Sequence, residues 1–419
     1  MKLLQTNDKK LLNQQKINVS QKMMNQRGAA LIIFMLVLIL SAATYFVGGL
    51  SSNTVALDRE KQTQAALAEA KAALIGDAVE KQGSTLSSST PAVTLSNPDL
   101  GSGANEGDEA ANAGAIDHSA IGRFPWRSLG TVALKDGSGE CLWYVVSGRF
   151  KTYTHTTMPL NWDTQGQIDV IDEKDNQLAT NLAALVIAPG SVLSGQDRSS
   201  GQVVYPQCGG NYDAKNYLDT FDLNNAILGN VNYFPGTANN SKAQNSNNTT
   251  FVMTNNASYN DRFIFVTADD IFNQVMFRAA FSNEIDTLLA NFQNMTISIS
   301  TGKGTGNFTC ANTDLFCENW IEMVFVKNYG VGNKVPVTWF DPKTMGTVGT
   351  ANCQRVIIFG GQKTKTQMRD ASAKNNPVNY LEAPNYVAFT ASSSSGLSYQ
   401  GVSKFDPHFP TLDVIQCVP

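Results

Sequence analysis

The first clear pattern along the chain is an unbroken apolar run. Residues Ala29 to Leu50 (AALIIFMLVLILSAATYFVGGL) carry no charge over 22 positions. As a helix, at about 1.5 Å per residue, the run reaches about 33 Å, enough to cross a bilayer core. From Ser51 to Lys81 the pattern becomes a helical stripe. Leu67, Ala70, Leu74 and Ala78 recur at three- and four-residue steps, with Asp58, Arg59, Glu60, Lys61, Glu69 and Lys71 supplying a polar face. No Pro falls in this stretch, and only Gly48-Gly49 marks a bend before it. The two patterns together predict one helix of about 50 residues, on the order of 75–80 Å long. Its first half, residues 29–50, is a transmembrane segment, and its second half, residues 51–82, is amphipathic.

Residues 83–120 are rich in Ser, Gly, Ala and Asn without periodicity, and read as a flexible linker. Short strand patterns then follow over residues 121–419. Asp136-Gly137-Ser138-Gly139 is a turn signal before the aromatic and β-branched run Cys141–Phe150. Leu182–Ala188 is an apolar run ended by Pro189-Gly190. Asp261–Thr267, Ile297–Ile299, Trp320–Val326, Val335–Phe340, Arg355–Phe359 and Val414–Cys417 read as further strands, and Ala391–Gly396 as a loop. Thr267 stands three residues before Asp270, the spacing of a capping box. It opens a helix to about Phe292, with Ile271, Val275, Phe281, Ile285, Leu288 and Phe292 on its apolar side. An Asn-rich stretch over residues 237–260 reads as a surface loop and a break between two subdomains. The fold class expected is α+β: a long N-terminal helix, then a large antiparallel-β-rich domain with one internal helix.

Composition narrows the function. Charged residues are 16% of the 419, and the net charge is −4. That excludes nucleic-acid binding driven by bulk positive charge. The charge is unevenly placed: residues 1–28 hold six cations against the single acid Asp8. A basic segment before an apolar span places that side in the cytoplasm and exports the rest. A single-pass membrane protein with its C-terminal domain exported is therefore expected; the resemblance given next makes that membrane the bacterial inner membrane and the far side the periplasm. Two other accounts of the same segment are a plain anchor and a cleaved secretory signal, for which Ser41-Ala42-Ala43 offers a small-x-small site.

Arg27-Gly28-Ala29-Ala30-Leu31-Ile32 resembles the processing site of type IV prepilins. Those proteins have a basic leader ending in Gly, a hydrophobic helix start, and an amphipathic continuation. The resemblance implies that a prepilin peptidase cuts between Gly28 and Ala29 and methylates Ala29. Leu31, Ile32, Ile33 and Phe34 would then begin the helix that packs with other pilin or pseudopilin subunits and with the inner membrane. Most major pilins carry Glu at the fifth position after the cut, where this chain has Ile33. That departure is similar to certain minor pilins and to the large tip pseudopilin of type II secretion. It fits a subunit with no neighbour above it, since a buried Glu without a partner is expensive. The implied function is structural: assembly, initiation or tip capping of a type IV pilus or a type II secretion pseudopilus, with tip adhesion as a further role and a filament tip at the cell surface as a further location. The competing class is a membrane-anchored periplasmic binding protein or hydrolase.

Six cysteines, Cys141, Cys208, Cys310, Cys317, Cys353 and Cys417, all follow the apolar run. In an exported domain they allow three disulfides among 15 connectivities. Cys310 and Cys317, separated by ANTDLF, form the favoured bridge; Cys141–Cys208 and Cys353–Cys417 are expected for the rest, with other pairings open. No Cys-x-x-Cys, Gly-x-Ser-x-Gly, HExxH or phosphate-loop spacing is present, so no enzyme and no zinc site is expected. Calcium is the one cofactor with candidate ligands: Asp136 with Glu140, or the run Asp219 to Asn224, which lacks the EF-hand spacing. The alternative for Asp136 and Glu140 is a hairpin turn facing water.

Overall fold

The computed structural model describes residues 52–84, 93–101, 103–114, 118–152, 159–172, 174, 176–200, 205–223, 226–229, 249–253, 259–295, 301–306, 308–311, 314–370 and 373–419. Residues 62–419 form one compact unit, and the described residues of the preceding unit, 52–61, are helical.

The helix runs Ser52–Ser84, 33 residues rich in Ala, Leu, Glu, Lys and Gln, all good helix formers. From Gln62 onward one stripe is buried: Thr63, Ala66, Leu67, Ala70, Leu74 and Ala78. Small Ala side chains in that stripe let the helix backbone lie close to the residues it covers. Polar links fix its position: Lys71 Nζ meets Asp270 Oδ2 at 2.8 Å, Thr63 Oγ1 accepts from Gly137 N, and Asp77 Oδ2 accepts from Ser96 Oγ and Lys81 Nζ. Residues 54–61 are mostly exposed, with Leu57 60% accessible.

Four-stranded antiparallel sheets organise the rest. The first has the order Ala120–Arg123, Trp143–Val146, Ala184–Ala188, Arg262–Val266. Its alternating residues feed two different cores. Tyr144, Val146, Ala184, Val186 and Val266 join the main core with the long helix, while Ile121, Trp143, Val145, Leu185 and Ile187 join a second core. Burial on both faces explains why WYVV and ALVIA read as continuous apolar runs. The second core is closed by a three-stranded sheet in which Ile168–Ile171 pairs antiparallel with Gln177–Leu182 and parallel with Thr249–Val252.

The second large sheet has the order Gly302–Lys303, Val324–Asn328, Arg355–Phe359, Val414–Val418. Helix Ala279–Gln293 lies against its last two strands. Another three-stranded sheet joins Thr347–Cys353, Val335–Phe340 and Tyr399–Gly401. Around Trp320, the rings of Trp162, Phe272, Phe281, Phe316 and Phe359 stand 4.6 to 6.2 Å from its centroid and fill the main core.

Several sequence expectations are corrected. The α+β class with a mostly β domain holds, but the long N-terminal helix with a transmembrane half does not. The described helix begins at Ser52, its first exposed turns carry Asp58, Arg59, Glu60 and Lys61, and its buried stripe is spent on the domain. Among the described residues no helix is long and apolar enough to cross a membrane. The expected single-pass placement in the inner membrane is corrected with it. Three disulfides fit an extracellular or periplasmic protein. The run 29–50 lies outside the described residues, as does the expected strand Ile297–Ile299.

Part of the flexible linker expected over 83–120 is built into the core: residues 93–100 are all buried, whereas most of the described residues from 101 to 114 are exposed or half-buried. Val93 and Leu95 are fully buried, and Asp99 accepts from Gly101 N, Gly107 N and Tyr212 Oη. One carboxylate thus satisfies irregular backbone that has no strand or helix to pair with. Residues on both sides of the expected break near 237–260 belong to the same compact unit. The helix expected from Thr267 to Phe292 is two, Ala268–Val275 and Ala279–Gln293, the first opened by the expected Thr267–Asp270 capping box, and the domain has two further short helices, Leu315–Trp320 and Asn385–Thr390, among the described residues. The expected strand Trp320–Val326 is instead the end of helix Leu315–Trp320, a 3-10 turn Ile321–Met323, and a strand starting at Val324.

Candidate functional site

The described residues enclose a polar cleft of about 290 Å³, lined by Arg149, Pro159, Asp163, Thr164, Gln165, Glu322, Arg369, Asp370 and Lys374. Three parts of the fold build it. The first is the turn Asn161–Thr164, in which Asn161 Oδ1 accepts from Asp163 N and Thr164 Oγ1 accepts from Asn161 N. Trp162, buried against Trp320 at 4.6 Å and Phe359 at 5.8 Å, anchors that turn to the core.

The second part is the 3-10 turn carrying Glu322. It follows helix Leu315–Trp320, which Asp314 caps through Cys317 N and the Cys310–Cys317 disulfide ties down. Asn161 Nδ2 donates to Glu322 Oε1 at 2.5 Å and to Asn319 O at 2.8 Å, joining the two parts. The third part is the segment after strand Arg355–Phe359. Arg369 donates from Nε to Asn379 O at 2.6 Å and from Nη2 to Gly361 O at 2.8 Å.

Charges alternate across the cleft. Arg369 Nη1 meets Asp163 Oδ2 at 3.2 Å, with both side chains almost completely buried. Lys374 Nζ meets Glu322 Oε2 at 2.6 Å. Behind them, Lys303 Nζ donates to Lys374 O at 2.7 Å and sits 4.3 Å from the Tyr380 ring centre. The Arg369 guanidinium lies 4.4 Å from the same ring. Burial pushes the Asp163 carboxyl above the usual carboxylate range, against the opposing pull of Arg369. Burial also pushes the Lys303 ammonium down to about 8, with Glu322 opposing. The cleft therefore offers fixed charges of both signs in a partly desolvated place. Its one hydroxyl, Thr164 Oγ1, is engaged with Pro159 O and Asn161 N. Such an arrangement suits recognition of a polar ligand more than nucleophilic chemistry.

The residues expected to matter from the sequence lie elsewhere. Gly28, Ala29, Leu31, Ile32, Ile33 and Phe34 are outside the described residues. The cysteines pair as Cys141–Cys208, Cys310–Cys317 and Cys353–Cys417, the connectivity expected. Of the two readings of Asp136, the turn is the one the structure shows, with the side chain buried instead of facing water. Its Oδ1 accepts from Ser138 N and Glu140 N and its Oδ2 from Gly190 N, so it organises a turn. Glu140 faces Arg198 at 3.4 Å. Asp219 is likewise taken by Asn260 N, Asp261 N and Gln196 Nε2, while Asn224 lies outside the described residues. Among the described residues no cluster of His, Cys, Asp and Glu is arranged to hold a metal ion. The cleft residues were not legible: six of the nine are charged, but they are spread from Arg149 to Lys374 with no local motif.

Compared with protein-family models, curated proteins and solved structures, the chain gives no match.

Proposed function

We propose that the chain is a structural subunit of a type IV pilus or type II secretion pseudopilus, of the minor kind that initiates or caps the filament. The observation that carries this reading is Arg27-Gly28-Ala29-Ala30-Leu31-Ile32, placed between a basic leader and a charge-free run. In this reading prepilin peptidase removes residues 1–28, and the new N-terminus at Ala29 leads Leu31, Ile32, Ile33 and Phe34 into contact with neighbouring subunits. Ile33, in place of an acid, suits a position with no subunit above it to neutralise. Three disulfides support the reading because a subunit displayed outside the cytoplasm gains from cross-links that resist unfolding.

The test is processing in a host that expresses a prepilin peptidase. The natural chain loses its leader, and Gly28→Glu keeps it, because the peptidase requires the small residue before the cut. Retention of the leader by the natural chain, or equal loss in Gly28→Glu, overturns the reading.

A further inference from the structure

Two acids meet at the edge of the main core with no cation paired to either. Asp413 is fully buried just before strand Val414–Val418, and Glu382 is half-buried in the turn before helix Asn385–Thr390. They exchange backbone bonds: Asp413 Oδ2 accepts from Glu382 N at 2.9 Å, and Glu382 Oε2 accepts from Asp413 N at 3.3 Å. Asp413 Oδ1 has no hydrogen-bond partner, and neither acid has an ion-pair partner among the described residues. Two carboxylates placed side by side away from water cannot both ionise without a large cost, so the pair retains a proton.

The same pair ties several segments together. Asn385 Nδ2 donates to Asp413 Oδ2 at 2.7 Å and to Gln400 O at 2.8 Å, while Asn385 Oδ1 accepts from Gln400 N at 2.9 Å. These bonds fasten the turn at Glu382, helix Asn385–Thr390 and strand Tyr399–Gly401 to the start of the last strand. Between strands Arg355–Phe359 and Tyr399–Gly401 the described residues form only turns, the 3-10 turn Pro377–Asn379 and that six-residue helix. A stretch with so few ladder bonds of its own depends on its docking contacts.

Few other charges bear on the pair. Burial, then the Glu382 charge, pushes the Asp413 carboxyl up to about 8, against a weaker pull from Arg369, which is committed to Asp163. Burial raises the Glu382 carboxyl as well. The other titratable side chains of these elements are the phenols of Tyr380, Tyr386 and Tyr399, a group that carries no charge near neutral pH. On the loop after Val402, Lys404 faces Asp286 and His408 faces Asp406.

We propose that Glu382 and Asp413 form a proton-operated latch: while they retain a proton, residues 382–401 stay docked, and loss of that proton undocks this segment while the rest of the domain stays folded. The docked form binds the proton more tightly than the undocked form. Docking is therefore fully favoured below the ordinary carboxylate range and weakens as pH rises toward about 8. The latch concerns the folded domain alone and does not depend on the filament reading.

Hydrogen exchange of the purified full chain, read by mass spectrometry at about pH 5 and about pH 7 and corrected against an unstructured peptide, tests the latch. One proton lost on opening changes the opening equilibrium by up to about tenfold per pH unit, so protection over residues 385–401 is expected to fall at least about tenfold across this interval. At the higher pH it is expected to lie at least about tenfold below the protection of strand Arg355–Phe359. Asp413→Asn has no proton to lose and is expected to hold the fall under about twofold. Because Asp413 is fully buried, the half-buried Glu382→Gln serves as the second variant; without the Glu382 charge Asp413 ionises at less cost, and the fall is expected to shrink. Protection that does not change with pH, or a fall of the same size in both variants, overturns the proposal. So does equal protection over residues 385–401 and strand Arg355–Phe359, which would mean one global opening.

Discussion

Asp413 gives the sharpest test of the energetics, through the substitution Asp413→Asn. This residue is fully buried at the start of strand Val414–Val418. Its Oδ2 accepts from Glu382 N at 2.9 Å and Asn385 Nδ2 at 2.7 Å, and its Oδ1 has no partner among the described residues. Burial, reinforced by the neighbouring Glu382 carboxylate, pushes the Asp413 carboxyl up to about 8 from an ordinary 3.8. Between these values the folded protein keeps a proton that the unfolded chain releases. Stability is therefore fully present below about pH 4 and declines as pH rises toward about 8. The limiting slope is about 1.4 kcal/mol per pH unit, so the loss from about pH 5 to about pH 7.5 is on the order of 3 kcal/mol. The amide introduced by Asp413→Asn would keep an acceptor for both donors but has no proton to lose. Urea unfolding at both pH values measures the effect as a difference of differences, which cancels the titrating groups that do not interact with Asp413. The variant is expected to match or fall slightly below the natural chain at the lower pH and to exceed it at the higher one. Parallel pH profiles for the two proteins would mean that Asp413 does not retain its proton in the folded state.

Leu74→Ala opens a cavity under the long helix, since Leu74 is 0% exposed, and should cost about 2–5 kcal/mol, whereas Leu57→Ala, at 60% exposure, should stay within about 0.5 kcal/mol. Denaturant unfolding of the pair checks this; equal losses would mean the stripe is not buried. Replacing both Cys353 and Cys417 by Ser opens a cross-link spanning 64 residues and should cost about 4 kcal/mol by loop-closure entropy, read from the same unfolding curves. Asp136→Ala removes the acceptor of three backbone N–H groups and should cost about 2–4 kcal/mol, with faster amide exchange at Ser138, Glu140 and Gly190 as its local signature. Unchanged exchange at those amides would contradict the turn-organising role.

What the sequence made legible follows from where the physical signal is local. WYVV and RVIIF are strands because β-branched and aromatic runs bury both faces, and their registers need no special device. The Thr267–Asp270 box was visible because its two bonds close within three residues. The break between Val275 and Ala279 was not, because no Gly or Pro marks it. Arg278 instead turns to bond Val79 O of the long helix, a tertiary cause. Asp99 reads as one acid in a Ser- and Gly-rich stretch, yet it holds together Gly101, Gly107 and Tyr212, partners up to 113 positions away. The helical end at Trp320 likewise outweighs a run of strand-forming residues, because Asp314 caps it and Cys310–Cys317 holds it. The cleft shares this character: Asp163 and Arg369 meet across 206 positions, a distance over which one sequence carries no pattern.

Mass spectrometry of the protein purified from its native host reads the mature N-terminus, on which the filament reading turns. The filament reading predicts a chain beginning at methylated Ala29. A chain beginning at Thr44, after Ser41-Ala42-Ala43, or an intact Met1, would contradict it.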